Sequence, residues 1–457
     1  MTAIALTDIQ LCFEGAVPAV IVTADTDGMP NVTYLSRVRL VDDERVALSN
    51  QFFSKTARNL AENPRASVII INPLTYDQYR LALVYERTDR RGPIFERLRE
   101  DVDALAAVVG MQDVFKLRAA DIYRVNEIEH IRPGAPLVDP GEPGVNQRTT
   151  FGPERLGELT ARLSRCTDLD AIVSTTVNGI AELLGIEHSL LLLVDEHGRR
   201  LYTIASHGYS AEGVGSEVAV GDGIIGRAAE RAVPIRVGNL RQSVKYGMSV
   251  RRAYETHGSI SSGWEIEVPG LTRAESQMAI PAIALGQVVG VLLLESPAQV
   301  AFTEGDQANL SVLASVVANA IEAERLRERS EEPGPARAVA MPPTVGATTH
   351  VRFFAIDGST FLGGNYLIKG VAGRILWSLL GHYDREQRTD FTNKEIRLDQ
   401  SLELPEFRDN LDSRLLLLKR RLDEKHAPIR IEKTGRGRFR LVVETKLRLD
   451  DVAAPSA

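Results

Sequence analysis

Gly221-Asp222-Gly223-Ile224-Ile225-Gly226 opens the segment in the middle of the chain around which the other elements are organised. It predicts a glycine-rich turn, a short helix and then a strand led by Pro234, because glycine adopts backbone angles that other residues avoid. A second segment, residues 278–295, predicts two apolar strands joined by a hairpin turn at Leu285-Gly286-Gln287. A turn, a short helix and a hairpin in this order indicate a small α/β domain.

The neighbouring segments extend this domain in both directions. Apolar residues at helical spacing predict helices between Pro153 and Leu184, with a break at Thr167-Asp168. Near-continuous leucine and valine predict a strand at 189–195. Farther on, Thr303 and Asp306 have the spacing of a helix cap, and one apolar stripe follows them.

Together these elements resemble a GAF domain, a small-molecule sensor and dimerisation module, over residues 151–329. Such a fold would place a ligand pocket between the sheet and the loops of 208–270. His207 and His257 could ligate haem there, or simply be solvated. The ligand is left unknown, and an empty domain used only to dimerise is the alternative. Other candidate pocket residues are Trp264, Tyr246, Tyr254 and Met248.

The N-terminal region predicts a barrel or sandwich, because its strand-like runs are short and separated by turn signals. Between two of these runs, Ser54-Lys55-Thr56 begins a predicted helix that ends at Asn63-Pro64. Free N–H groups, the helix dipole, two hydroxyls and an ammonium converge there, which suits a phosphate group. Ordinary capping by Ser54 beside a solvated lysine is the alternative.

Two blocks of this region, 36–65 and 92–125, resemble the split barrels of the pyridoxamine-phosphate-oxidase-like family, which bind FMN. The resemblance implies that Lys55 and Thr56 hold the FMN phosphate with help from Ser54. It also implies that an arginine-led strand lies along the isoalloxazine ring, lined by Arg37, Val38, Ser49 and Asn50. Lys55 is followed by Thr56, where the family usually offers a second basic residue, so a deazaflavin or haem is the alternative occupant. No acid–base pair or nucleophile constellation is evident from spacing.

The C-terminal region predicts a strand, three helices and a basic hairpin. Between Arg408 and Arg440 there are 11 Lys and Arg against 5 Asp and Glu, a local charge of +6. Because the whole chain carries −7, the remainder carries −13. A basic block on an acidic chain favours an anionic partner for that block.

This order of elements resembles the winged-helix effector domain of response regulators, which implies binding of double-stranded DNA. The third helix would enter the major groove, with Asn410 and Arg414 reading bases. The phosphate contacts would be Lys419, Arg420, Arg436 and Arg438. Four successive leucines, Leu415 to Leu418, face every side of that helix, so a protein partner is the alternative.

Composition restricts the class of protein. No run reaches the roughly 18 apolar residues of a membrane span, and the N-terminus lacks the basic region of a signal peptide. Two distant cysteines, Cys12 and Cys166, argue against a disulfide framework and favour the cytoplasm. The expected fold is multidomain α+β. Its expected parts are a split barrel at 1–132, a linker at 133–150, a GAF domain at 151–329, a second linker at 330–347, a winged helix at 348–449 and a tail at 450–457.

Together these expectations predict a cytoplasmic one-component transcriptional regulator that senses redox state or a small ligand. A homodimer is expected, because split barrels of this kind usually build their flavin site across two chains. An FMN-dependent oxidoreductase regulated by its other domains is the first alternative. A protein-interaction scaffold with a vestigial cofactor site is the second.

Overall fold

The computed structural model describes residues 4–15, 17–51, 55–109, 116–133, 151–210, 213–240, 266–330, 348–399, 402, 404 and 411–452. These residues form a seven-stranded sheet, a six-stranded sheet and two smaller sheets of four and three strands. Helices pack between and around the sheets. We describe them as an N-terminal module (residues 4–133), a central module (151–330) and a C-terminal module (348–452).

The N-terminal module is a curled antiparallel sheet with the strand order β2-β1-β5-β6-β7-β4-β3. Alternate residues of β1 are buried, as expected of a strand with one face on the core. A buried thiol, Cys12, lies in this core, where burial and then the charge of Asp77 raise its pKa to about 12. The elements are a 3₁₀ helix Leu6–Phe13, β1 Ala19–Ala24, β2 Pro30–Leu35, β3 Val38–Leu40, β4 Arg45–Asn50, α1 Lys55–Glu62, β5 Arg65–Ile71, β6 Gln78–Asp89, α2 Pro93–Val109 and β7 Ala119–Arg132.

The central module is an antiparallel sheet, β10-β9-β8-β13-β12-β11, with helices on both faces. Leu191 and Leu193 of β8 face α3, α4 and α6, whereas Leu190 and Leu192 face α5. Burial of both faces explains why this strand is a continuous leucine run rather than an alternating one. The elements are α3 Pro153–Leu163, α4 Leu169–Leu184, β8 His188–Val194, β9 Arg200–His207, β10 Glu217–Ala219, α5 Gly223–Arg231, β11 Ile235–Val237, β12 Ser276–Ala284, β13 Gln287–Ser296 and α6 Glu304–Ser330.

Local signals in the central module are confirmed. Asp168 caps α4 by accepting a hydrogen bond from the Ala171 N–H group. The hairpin turns at Leu285 and Gly286, whose φ angles of 50° and 75° are those that a tight two-residue hairpin turn requires. Thr303 and Asp306 exchange hydrogen bonds at the start of α6. None of the described helices is long and apolar enough to cross a membrane.

The C-terminal module has the predicted helices and basic hairpin, with additional strands. In its four-stranded sheet, β20 runs parallel to β14 and continues to Val452. The expected tail at 450–457 therefore begins inside a strand, which corrects that boundary. The elements are β14 Thr348–Phe354, β15 Ser359–Leu362, β16 Asn365–Ile368, α7 Gly370–Glu386, β17 Asp390–Thr392, α8 Asn393–Leu398, α9 Leu411–Glu424, β18 Ile429–Gly435, β19 Arg438–Val443 and β20 Lys446–Val452.

The four leucines of α9 have a structural explanation. All of Leu415 to Leu418 are buried, because α9 lies between its own module and the central module. On one side it packs against α7 and β18, and on the other against α4 and β9. One continuous apolar core therefore joins the two modules.

The N-terminal module contacts a different part of the central module. Helix α2 packs against α5 and β11, and Ala104 joins the apolar cluster beneath them. Ion pairs reinforce the junction: Arg39 pairs with Glu304 at 2.8 Å, Arg236 with Glu14, and Arg231 with Asp103. The central module thus separates the other two.

Gly226 in α5 should be intolerant of a side chain. A Cβ atom there would lie 2.1 Å from the Ala219 carbonyl oxygen and 2.9 Å from the Gly221 nitrogen, both backbone atoms. We expect Gly226→Ala to destabilise the protein by about 1–3 kcal/mol, measured as a lower urea midpoint. Gly157→Ala in α3, where the Cβ atom meets nothing within 4 Å, should instead stabilise by about 0.5–1 kcal/mol. Equal effects of the two substitutions would contradict the packing described around α5.

Candidate functional site

The start of α1 has the features of an anion site. Lys55 is its first residue and is exposed, and the first turn contains no acidic residue. Thr56 is buried, and its hydroxyl accepts a hydrogen bond of 2.9 Å from the Asn31 amide of β2. That leaves the hydroxyl proton able to donate to a ligand. Ser54, the third predicted phosphate contact, lies outside the described residues.

The predicted ring-lining residues come together on β3 and β4. Val38 pairs with Leu48 across these strands, and the Ser49 hydroxyl accepts a hydrogen bond of 3.0 Å from the Arg37 N–H group. The Asn50 amide donates to Asp121 of β7 at 2.9 Å. Burial raises the pKa of Asp121, although hydrogen bonds from Thr88 and Asn50 oppose the shift.

Arg37 is engaged away from the start of α1. Its buried guanidinium donates a hydrogen bond to the Gly15 carbonyl oxygen. Burial lowers the pKa of this guanidinium, and the nearby charge of Asp101 opposes that shift. Its expected role at the ring remains a prediction.

The sequence did not single out Gln51. Its unpaired side-chain nitrogen bears on whether the site fits a phosphate. Gln51 is buried directly after β4, four positions before α1 begins at Lys55. Its carbonyl oxygen accepts from the Ser36 hydroxyl at 2.6 Å, but its Nε2 has no partner among the described residues. A buried donor without a partner is costly, so an acceptor is expected beside it. Lys55, the Thr56 hydroxyl and the unpaired Nε2 of Gln51 are donors of the kind that the phosphate of FMN would need.

The predicted DNA contacts of α9 face the central module. Arg414 is 9% exposed and donates to the carboxylate of Glu196, which is 8% exposed. Its guanidinium carbon also lies 4.1 Å from the centre of the Tyr202 ring. Lys419 and Arg420 both pair with Asp170, at 2.7 Å and 2.6 Å.

The hairpin contributes to the same surface. Arg436 pairs with Glu324 of α6 at 3.1 Å, and Lys433 lies 3.6 Å from Asp168. Arg438 lines the cleft that runs between α6, α9 and the hairpin. Asn410 lies outside the described residues. The structure thus brings the described DNA candidates from helix and hairpin to one face, and that face meets carboxylates of the central module.

Most of the predicted sensor residues lie outside the described residues: Trp264, Tyr246, Tyr254, His257 and Met248. The ring of His207 makes a 3.1 Å hydrogen bond with Asn178. In the described part of the chain, no group of three His, Cys, Asp or Glu is arranged to hold a metal ion.

Family models match residues in the N-terminal and central modules. Residues 7–126 match the family model described as pyridoxamine 5'-phosphate oxidase, and residues 166–322 match the model described as GAF domain. The chain carries a pyridoxamine 5'-phosphate oxidase-like domain followed by a GAF domain. From here the central module is called the GAF domain. The two matches end before the C-terminal module.

Individual relatives are distant. An uncharacterized protein of Methanocaldococcus jannaschii is 25% identical over 25% of this chain and 72% of its own length. An FMN-binding protein from Syntrophomonas wolfei is 16% identical, covering 27% of this chain and 83% of that one, with a TM-score of 0.24. The free methionine-R-sulfoxide reductase of Neisseria meningitidis is 21% identical, covering 40% and 98%, with a TM-score of 0.30. At these values the likenesses assign neither ligand nor activity.

Proposed function

We propose that the protein is a cytoplasmic regulator that binds FMN in its N-terminal domain, senses a small ligand through its GAF domain and binds double-stranded DNA through a C-terminal winged helix. The observation that carries the DNA-binding part is the shared face of α9 and the β18–β19 hairpin. Arg414, Lys419, Arg420 and Arg436 all meet carboxylates there. A helix and a hairpin that present cations on one face suit a duplex, because phosphates dominate DNA affinity.

FMN is the cofactor that the N-terminal domain supports best. The start of α1 offers Lys55 and the Thr56 hydroxyl, and Gln51, four positions before Lys55, has a buried and unpaired Nε2 donor; all three groups suit a terminal phosphate. When bound, a flavin would supply reversible redox chemistry. Deazaflavin and haem remain the alternatives, and a visible spectrum of the purified protein separates the three because they absorb differently.

Lys55→Ala should weaken FMN binding by roughly tenfold or more, because a charge-assisted hydrogen bond to phosphate contributes about 1.5–3 kcal/mol. Arg65→Ala is the matched control, since Arg65 is also exposed but follows the opposite end of α1. The measurement is a fluorescence titration with FMN. Equal affinities of the Lys55 variant and the unmodified protein would remove this site from the proposal.

We also propose a homodimer formed through the N-terminal domain. Strand β2 lies at the edge of its sheet, and Met29, Val32 and Tyr34 on or beside it are 60%, 63% and 68% exposed. A flat apolar edge of this kind invites pairing with another chain. Asn31 of the same strand contacts Thr56, so the paired edge would adjoin the phosphate site.

Tyr34→Asp should therefore give a monomer mass in light scattering at micromolar concentration, where the unmodified protein gives a dimer. Leu326→Asp is the matched control, since Leu326 is a comparably exposed apolar residue on α6. A monomeric unmodified protein would refute the proposed dimer. If only Leu326→Asp gave a monomer, the dimer interface would lie on the GAF domain instead of the N-terminal domain.

An FMN-dependent oxidoreductase is the second candidate function, and the observation that favours it is the family match over residues 7–126. In that case the flavin-loaded protein would oxidise or reduce a substrate at a rate unaffected by charge changes on α9. The regulator instead requires binding of a duplex.

Binding of a random-sequence duplex to the full chain should depend steeply on salt. If about four cations neutralise phosphates, log affinity should fall against log salt with a slope of roughly −3.6, from about −0.9 per contact. Arg438→Ala should flatten that slope by about one unit. Arg430→Ala is the control, since Arg430 pairs with Glu444 of its own module. If neither the unmodified chain nor any variant retained a duplex at about 50 mM salt, DNA binding would be refuted.

A further inference from the structure

The ion pairs across the junction between the GAF domain and the C-terminal module all have the same polarity. Every ion pair that the described residues form across it places the carboxylate on the GAF domain and the cation on the C-terminal module. The GAF carboxylates, called here the acidic face, are Asp168, Asp170, Glu196, Glu217 and Glu324, and their partners are Lys433, Lys419 with Arg420, Arg414, Lys369 and Arg436.

The acidic face engages the side chains that the proposed function assigns to DNA. Arg414, Lys419, Arg420 and Arg436 each donate to a carboxylate oxygen of the acidic face. Carboxylate and phosphate are both anionic acceptors that arginine recognises through its fork of donors. Because α9 is also buried against α4 and β9, a duplex cannot reach this helix while the junction is formed.

The contacts are unequal, and one of them dominates. Most of the pairs are partly exposed, and such pairs contribute little to the stability of a contact. Glu196 and Arg414 are both buried, and the Arg414 guanidinium also lies over the Tyr202 ring. Removing one charge of a buried pair leaves the other uncompensated, so this pair should govern whether the junction holds.

The junction is also incompletely packed. A cleft of about 100 Å³ runs between α6, α9 and the hairpin, lined in part by Ile321, Leu416 and Phe439. The Oε1 atom of Glu324 is buried at this cleft without a hydrogen-bond partner among the described residues. Burial raises the pKa of Glu324 in spite of Arg436 and Arg327 nearby. The cleft and the unsatisfied carboxylate reduce the cost of separating this interface, although Leu415 to Leu418 would lose apolar contacts when it separates.

We infer that the acidic face is an internal competitor of DNA, so that the structure represents a closed form that cannot bind a duplex. The inference rests on the proposed DNA-binding function and adds its regulation. The apparent DNA affinity of the full chain then equals the intrinsic affinity reduced by the fraction of molecules in which the junction is open. Any ligand that increases the fraction of open molecules would raise the apparent DNA affinity by the same factor as that fraction.

The test changes only the GAF side, so every proposed DNA contact is kept. Glu196→Gln and the double variant Glu196→Gln, Asp170→Asn remove charges of the acidic face without changing the side-chain shapes. Both should bind a random-sequence duplex at least tenfold more tightly than the unmodified chain at about 50 mM salt. Hydrogen exchange of the α9 amides should accelerate in parallel, and this second readout does not depend on DNA.

Glu182→Gln is the matched control. Glu182 is an exposed carboxylate of α4 that pairs with Arg162 of the GAF domain itself, so its loss changes the net charge equally without touching α9. It should leave both the exchange rate and the DNA affinity unchanged. Circular dichroism identifies any variant that fails to fold, and Asp170→Asn alone then replaces it.

The outcomes separate the inference from the function on which it rests. Unchanged α9 exchange and unchanged DNA affinity in the double variant, with the unmodified chain binding a duplex, would overturn the inference and leave the DNA-binding function standing. Faster exchange with no duplex bound by any variant would overturn both. An equal gain in affinity from Glu182→Gln would also overturn the inference, because general charge repulsion would then explain it.

Discussion

The buried ion pair between Glu196 and Arg414 is the interaction on which the arrangement of the GAF domain and C-terminal module depends. Placing two charges away from water is costly, and the cost is offset only where hydrogen bonding is good and the surroundings are polarisable. Here Arg414 donates through two nitrogens and lies over the Tyr202 ring. The leucines that follow Arg414 on α9, Leu415 to Leu418, are buried in the apolar core between the two modules.

Helix α6 connects this junction with the one at the other end of the GAF domain. Its first residue, Glu304, pairs with Arg39 of β3, two positions after Arg37 in the strand expected along the flavin ring. Near its other end, Glu324 pairs with Arg436, and Arg325 donates to Ser413 at 3.2 Å. At 1.5 Å per residue, about 30 Å of helix separates the two sets of contacts. A single helix therefore contacts both β3 and the hairpin of the C-terminal module.

Sequence predicted those parts of the structure whose causes are local. The turn at Leu285 and Gly286, the break at Asp168 and the capping of α6 at Thr303 each depend on residues within a few positions of one another. Both family resemblances of the first two domains also depended on such local motifs. The start of α1 at Lys55 was predictable for the same reason, because a helix start has a recognisable pattern, and phosphate binding there remains a prediction.

The remaining features depend on residues that are distant in sequence. Strand β20 pairs with β14, almost one hundred residues earlier, so the expected tail boundary was placed too early. Asn31 gave no motif, although its amide donates to the Thr56 hydroxyl, 25 positions later. Above all, the pairing of Arg414 with Glu196 spans 218 positions. The sequence showed an opposite charge on two regions, but it did not show that they meet.

A distance measured across this junction in the full chain would show whether the closed form exists. Spin labels at Glu182 of α4 and Asp423 of α9, both exposed, can be introduced as cysteines in a Cys166→Ser background, with buried Cys12 left unlabelled. Double electron–electron resonance should give one narrow distance distribution that shifts to longer distances when Glu196 is changed to Gln or a duplex is added. A broad distribution in the unmodified chain, or one that neither change affects, would contradict a closed form held by the acidic face.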